Sequence, residues 1–187
     1  MNKVKRALSL LTRMVLWSLL SALIWNFVVN LLTDAPPRSK VTVYVSAEDT
    51  FLRDRELSYA LEQQMPSSVR MVRCHPFSYL MIGEDISRGD LLILPESEAA
   101  DYLDRFRPLP EELRSHGPLF RANGEVYGVR VWDSAGMTGC ASSYIDYASS
   151  GGDWYLFCGR DSLHIPSEDG AGDNAGCAVA EELFGLD

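Results

Sequence analysis

An uncharged apolar stretch near the N-terminus constrains this chain more than any other feature. Residues 14–32 run for nineteen positions without a charged side chain and consist mainly of Val, Leu, Ile, Trp and Phe. As a helix, at about 1.5 Å per residue, the stretch would be about 28 Å long, close to the hydrocarbon thickness of a bilayer. We therefore predict a transmembrane signal-anchor helix over residues 14–32, in contact with the lipid bilayer.

Charges on either side of this stretch predict its orientation. The preceding residues 1–13 contain Lys3, Lys5, Arg6 and Arg13, and Asp34 follows directly after the stretch. Basic flanks tend to remain in the cytoplasm. We expect a single-pass protein of the cell membrane, with residues 1–13 cytoplasmic and the C-terminal domain extracytoplasmic. A cleaved signal peptide is the alternative, although its apolar region is usually shorter and ends in small residues, unlike the bulky segment 26–30.

The rest of the chain is strongly acidic. Because four of the 17 basic residues precede the apolar stretch, 13 basic and 26 acidic residues follow it, a net charge of −13. Nucleic acids bind clustered basic residues, and so do anionic membrane surfaces. The composition therefore argues against nucleic acid as a partner and against a domain that lies flat on lipid.

Prolines separate the apolar stretch from the remainder of the chain. Pro36 and Pro37 cannot continue a helix, so residues 33–40 are predicted to form a linker. Residues 41–187 then supply about 147 residues, enough for one domain. In its first half, β-rich runs at 41–45, 69–74 and 91–94 alternate with helical patterns.

Such alternation predicts a three-layer α/β domain with a mostly parallel mixed sheet. The run at 91–94 is apolar throughout, which is typical of a central strand buried on both faces. In the second half, Asn123-Gly124 predicts a hairpin turn before a strand at 126–132. A further strand is expected at 154–158, and a helix near 178–186 closes the chain.

The order of these elements resembles bacterial type II extracellular solute-binding proteins. The resemblance rests on the opening strand and helix, on the segment 90–97 (DLLILPES), on Val126-Tyr127-Gly128-Val129, and on Trp154-Tyr155-Leu156-Phe157 before a terminal helix. It spans roughly residues 41–186. The family implies solute capture between two lobes, but this domain has the size of one lobe. The clamp mechanism of the family therefore does not carry over.

Polar residues follow each of the three predicted parallel strands. In open α/β sheets, ligands bind beyond the carboxyl ends of the strands. That edge would gather a candidate ligand-binding set comprising Ser46, Glu48, Asp49, His75, Tyr79, Glu96 and Ser97. The alternative is that the serines cap helices and the carboxylates favour helix dipoles, with Ser46 and Asp49 as a capping box. We predict no catalytic residues, no metal site and no cofactor.

Four cysteines, Cys74, Cys140, Cys158 and Cys177, leave three full disulfide pairings or four free thiols open.

Three functions are compatible with the sequence. The first is a non-catalytic domain that binds a small solute or an envelope partner protein. The second is a substrate-binding accessory of a transporter. The third, a cysteine-dependent enzyme, requires a thiol within hydrogen-bond reach of His75 or His164.

Overall fold

A computed structural model of the chain describes residues 2–33, 35–46, 51–65, 69–77, 86–147, 151–166 and 172–186. The chain divides into two compact units, residues 1–36 and 37–187. The first unit contains helix α1 (Asn2–Thr33). Its segment Leu10–Val29 is long and apolar enough to span a membrane, and none of that segment is buried. Trp17 and Phe27, for example, are 66% and 68% exposed.

The second unit is built from short strands and helices. The strands are β1 (Lys40–Ser46), β2 (Met71–Phe77), β3 (Leu91–Pro95), β4 (Phe106–Arg107), β5 (Leu119–Ala122), β6 (Glu125–Asp133), β7 (Thr138–Gly139) and β8 (Trp154–Gly159). The α-helices are α2 (Asp54–Glu62), α3 (Glu96–Ala99) and α4 (Ala175–Phe184), and 3-10 helices span Pro37–Ser39, Ile86–Arg88, Ala100–Arg105 and Glu111–Ser115. The α/β class is as predicted.

All eight strands join one mixed sheet with the order β2-β1-β3-β8-β6-β5, while β4 pairs with β8 and β7 with β6. Strand β1 is parallel to β2 and to β3. The other five described pairs are antiparallel. The prediction of a mostly parallel sheet is therefore wrong. Strand β8 inserts between β3 and β6 and runs against both, so the parallel part ends at β3.

Both faces of the sheet are covered. Leu91 and Ile93 of β3 pack in one core cluster with side chains of α2 and α4. Leu92 and Leu94 pack in a second cluster, which includes Ala99 of α3. Every residue of β3 is buried. This confirms the predicted central strand, since alternate side chains of a strand point to opposite faces.

Two local predictions have opposite outcomes. The predicted hairpin is confirmed: Asn123 and Gly124 join β5 to β6 with φ of 51° and 85°, the left-handed conformation that tight hairpin turns require. The predicted end of the second strand at His75-Pro76 is wrong. Strand β2 continues to Phe77 and pairs Pro76 with Val45. Since β2 is an edge strand, the missing N–H of Pro76 does not interrupt the sheet.

Candidate functional site

The carboxyl end of β1 carries a buried hydroxyl that is already bonded. Ser46 is 2% exposed, and its Oγ lies 3.1 and 3.0 Å from Oε1 and Oε2 of Glu98. Ser46 therefore ties β1 to α3. The alternative of Ser46 as a helix cap stays a prediction, because residues 47–50, where such a helix would begin, lie outside the described residues, and the next described helix begins at Asp54. The sequence prediction also missed Glu98 as its partner.

The remaining members of the predicted set do not assemble into one site. Glu96 and Ser97 are exposed on α3, and Ser97 caps no helix, since the N-cap position is Pro95. His75 lies inside β2 rather than after it, half-buried and 6.0 Å from the Tyr44 ring, centroid to centroid. Within the described ranges, no hydrogen bond joins these three residues to one another. Glu48, Asp49 and Tyr79 lie outside the described residues.

The same edge carries an ion pair that the sequence prediction missed. Arg130 at the end of β6 donates from Nη1 to Asp153 Oδ2 over 2.9 Å, and Asp153 Oδ1 accepts the N–H and hydroxyl of Ser134, both at 2.8 Å. The Ser134 backbone bond, helped by Arg130, lowers the pKa of Asp153 despite its partial burial. The group joins β6 to the start of β8. Its polar groups bond to one another, which is typical of an ion pair with a structural role.

A second polar network lies at the opposite edge of the sheet, where β1 and β3 begin and β8 ends. Asp90 is 3% exposed and accepts the Thr42 N–H at 2.8 Å and the Ser162 hydroxyl at 2.5 Å. Ser162 Oγ in turn accepts the backbone N–H of His164 at 3.0 Å. Burial raises the pKa of Asp90, and these bonds partly oppose that shift.

His164 completes this network. Its ring lies 2.8 Å from the Pro37 carbonyl oxygen through Nε2, and 2.9 Å from Asp173 Oδ1 through Nδ1. Both ring nitrogens are therefore occupied by oxygen partners. No sequence signal indicated this contact, because Pro37 and His164 are 127 residues apart.

The cysteines are poorly suited to nucleophilic chemistry. All four are free thiols, and Cys74, Cys158 and Cys177 are buried. Burial raises the pKa of Cys74, Cys140 and Cys177 to about 12 in each case and that of Cys158 further still. The thiolate is the nucleophilic form, so these groups are unreactive near neutral pH. The two nitrogens of His164 are also bonded elsewhere, which leaves no base there for a thiol.

An open cleft of about 630 Å³ lies beside the His164 network rather than at the predicted edge. Its walls come from β4 and the residues after it, the start of β6 and the end of β8, and it is lined by Arg107, Pro108, Leu109, Pro110, Glu111, Glu112, Arg114, Glu125, Arg160 and Pro166. Prolines and Leu109 supply apolar surface. Three arginines and three glutamates supply opposite charges within one small volume.

Two of these arginines are fixed by backbone carbonyls. Arg107 donates to the carbonyls of Ile165, at 2.7 Å, and of Arg160. Arg114 donates to the Leu109 carbonyl from Nε at 3.0 Å and Nη2 at 2.8 Å. Arg160 is exposed. The cleft thus combines two guanidinium groups held by backbone carbonyls, one exposed arginine and three glutamates.

In the described part of the chain, no group of three or more His, Cys, Asp or Glu side chains is arranged to hold a metal ion. No family model matches the sequence, and neither a curated protein nor a solved structure matches the chain.

Proposed function

We propose that the protein is anchored in the cell membrane by residues 14–32, with an extracytoplasmic domain that binds a small solute or an envelope partner protein and performs no catalysis. The observation that carries the anchor is Leu10–Val29 of α1, twenty residues that are long and apolar enough to span a membrane and of which none is buried. In water, that much exposed apolar surface would be unfavourable, and lipid removes it from water. A cytoplasmic N-terminus is supported by the four basic residues before the apolar stretch, Lys3, Lys5, Arg6 and Arg13.

The cleft supports the binding part of the proposal. Its volume falls within the range typical of small-ligand sites, and it combines apolar walls with a few polar groups. Its charge balance differs from the net −13 of the sequence after residue 32. A solute with both a negative and a positive group would match it better than a simple anion, which the surrounding carboxylates repel.

Two other functions stay as alternatives. A transporter accessory would use the cleft in the same way, but together with a membrane partner that supplies a second lobe. A cysteine-dependent enzyme is disfavoured by the raised pKa values of the thiols and by the two occupied nitrogens of His164. The membrane-anchored binding domain needs neither a partner lobe nor an activated thiol.

The anchor predicts that the full-length protein remains in the membrane pellet after alkaline carbonate extraction. In intact cells with the outer envelope permeabilised, protease should degrade residues 41–187. Replacing Leu19 and Leu20 with Arg should release the protein, because each arginine near the middle of a span costs about 2.5–3.5 kcal/mol. A control protein with the single change Leu10→Arg, at the end of the apolar segment, should remain in the membrane pellet. Wild-type protein in the carbonate supernatant would exclude the anchor, and a protected domain would exclude its orientation.

The binding proposal predicts that a solute raises the melting temperature of the full-length protein in detergent micelles. A panel of amino acids, dipeptides, organic acids and sugars is the probe, and a ligand at 100 times its Kd should stabilise by about 2.7 kcal/mol. Arg160→Gln and Glu125→Gln should abolish the shift. Arg121→Gln, which replaces an exposed arginine outside the cleft lining, should retain it. If no solute class stabilises the protein, solute binding is wrong and the partner protein remains.

A further inference from the structure

The ring of His164 lies between two oxygen atoms that accept hydrogen bonds. One is the Pro37 carbonyl oxygen, 2.8 Å from Nε2, and the other is Asp173 Oδ1, 2.9 Å from Nδ1. A carbonyl cannot donate. Partial burial raises the pKa of Asp173, but the hydrogen bonds with His164 and with the Ala175 N–H, 3.0 Å from Oδ1, outweigh it and lower the pKa, so Asp173 is ionised near neutral pH. Both ring nitrogens must therefore donate, and only the doubly protonated imidazolium has two N–H groups.

The charges that face this ring stabilise the protonated form. Asp173 comes from the loop before α4 and Asp90 from the residue before β3. The 3-10 helix at Pro37–Ser39 contributes a carbonyl, and Arg107 donates to the carbonyls of Ser162 and Ile165 on either side of His164. Burial alone would lower the pKa of His164, but the bonds to Pro37 and Asp173 and the two carboxylates outweigh it and raise the pKa.

We propose that His164 is a proton-dependent clasp that holds the linker after the membrane helix on the domain. When the ring loses a proton, only one nitrogen still carries hydrogen. The bond to the charged Asp173 is the stronger of the two, so the neutral ring keeps Nδ1–H. Nε2 then presents a lone pair to the Pro37 carbonyl at 2.8 Å, which is repulsive. The contact at Pro37 is lost and residues 37–38 are released, while the Ser39 carbonyl still accepts the Arg70 N–H at 2.9 Å.

The direction of the pH effect follows from linkage. Because the pKa of His164 is higher in the folded protein than its ordinary value of 6.5, the contact is fully present at pH values below 6.5. It is lost as the pH rises through the folded pKa. The clasp is therefore closed in mildly acidic surroundings and opens as they become alkaline. This inference does not depend on what the cleft binds.

Limited proteolysis of the full-length protein in detergent micelles tests the clasp. Trypsin cleaves after Arg38, next to Pro37, and a docked linker resists it. The cleavage rate is measured from pH 5.5 to 9.5 and divided by the rate for a synthetic peptide of residues 33–45, which removes the pH dependence of trypsin. The normalised rate should rise up to about tenfold per pH unit as the pH approaches the pKa of His164 from below, since the deprotonated fraction rises by that factor, and it should level off above the pKa.

Two variants and a control separate the clasp from general instability. Asp173→Asn removes the charge but keeps an oxygen for Ala175, so it should move the midpoint to lower pH. His164→Gln should abolish the pH dependence. Asp101→Asn, which changes an exposed carboxylate elsewhere, should leave the midpoint unchanged. A flat wild-type profile, or a midpoint that Asp173→Asn does not move, would overturn the proposal. If His164→Gln fails to fold, the Asp173→Asn midpoint still decides.

Discussion

Replacing Phe157 with alanine is expected to reduce the free energy of unfolding by about 3–5 kcal/mol, a large part of the 5–15 kcal/mol typical of a domain. Phe157 is 0% exposed in the middle of β8. Its ring stacks on Phe106 with centroids 4.3 Å apart and meets the Phe120 ring edge-on at 5.3 Å. The substitution leaves a cavity between rings that belong to β4, β5 and β8, and those elements cannot close around it without moving the sheet.

Chemical denaturation of the full-length protein in micelles, followed by far-UV circular dichroism, measures this loss. Phe51→Ala is the matched control, because it deletes the same side chain at a position that is 68% exposed. We expect that control to change stability by less than about 0.5 kcal/mol. Equal losses for the two variants would show that Phe157 is not in a packed core and that β8 is misplaced in the sheet.

A methyl group at Gly159 should have an effect of similar size, about 3 kcal/mol, through overpacking. The Cβ of an alanine there would fall on the carbonyl oxygen of Gly89 and lie 2.9 Å from that of Ser87. Both obstacles are backbone atoms, so no rotamer change relieves the clash. The Gly159 N–H also donates to the Asp90 carbonyl at 3.1 Å. Displacing β8 here therefore disturbs the segment that carries the Asp90 carboxylate.

Gly152→Ala is the appropriate comparison, because a Cβ at that position meets no atom within 4 Å. Denaturation of the two variants side by side isolates the effect of the close approach from the general effect of replacing glycine. We expect Gly159→Ala to unfold at clearly lower denaturant concentration and Gly152→Ala to match the wild-type protein. A Gly159→Ala protein of wild-type stability would contradict the close approach of β8 to the residues before β3.

Local patterns in the sequence predicted those elements whose structure is decided locally. The apolar run in β3 predicted a strand buried on both faces, and Asn123-Gly124 predicted the hairpin because few other residues adopt two consecutive positive φ angles. Pro76 misled the prediction, because a proline breaks a strand only where its N–H is needed. Whether β2 lies at an edge depends on the whole sheet and not on the residues around Pro76.

The candidate site was predicted less well, because its contacts also depend on how distant segments of the chain pack together. The expected binding edge assumed that all central strands are parallel, and the antiparallel insertion of β8 cannot be read from its own residues. Ser46 bonds to Glu98 across 52 residues, and His164 to Pro37 across 127. Such partners are brought together by packing of distant segments. The cleft likewise draws its walls from segments between residues 107 and 166.

The central position of β8 also has a consequence for how the chain matures. Strands β1 to β3 and the β5–β6 hairpin are made first, yet in the described sheet they are hydrogen-bonded to each other only through β8, residues 154–159. During synthesis, β3 and β6 each keep one unpaired edge until residues 154–159 have been made. Unpaired strand edges can pair with other chains, and non-local pairing is slow. Biogenesis of this protein should therefore rely on chaperones that shield the incomplete sheet, and chains truncated before residue 154 should aggregate.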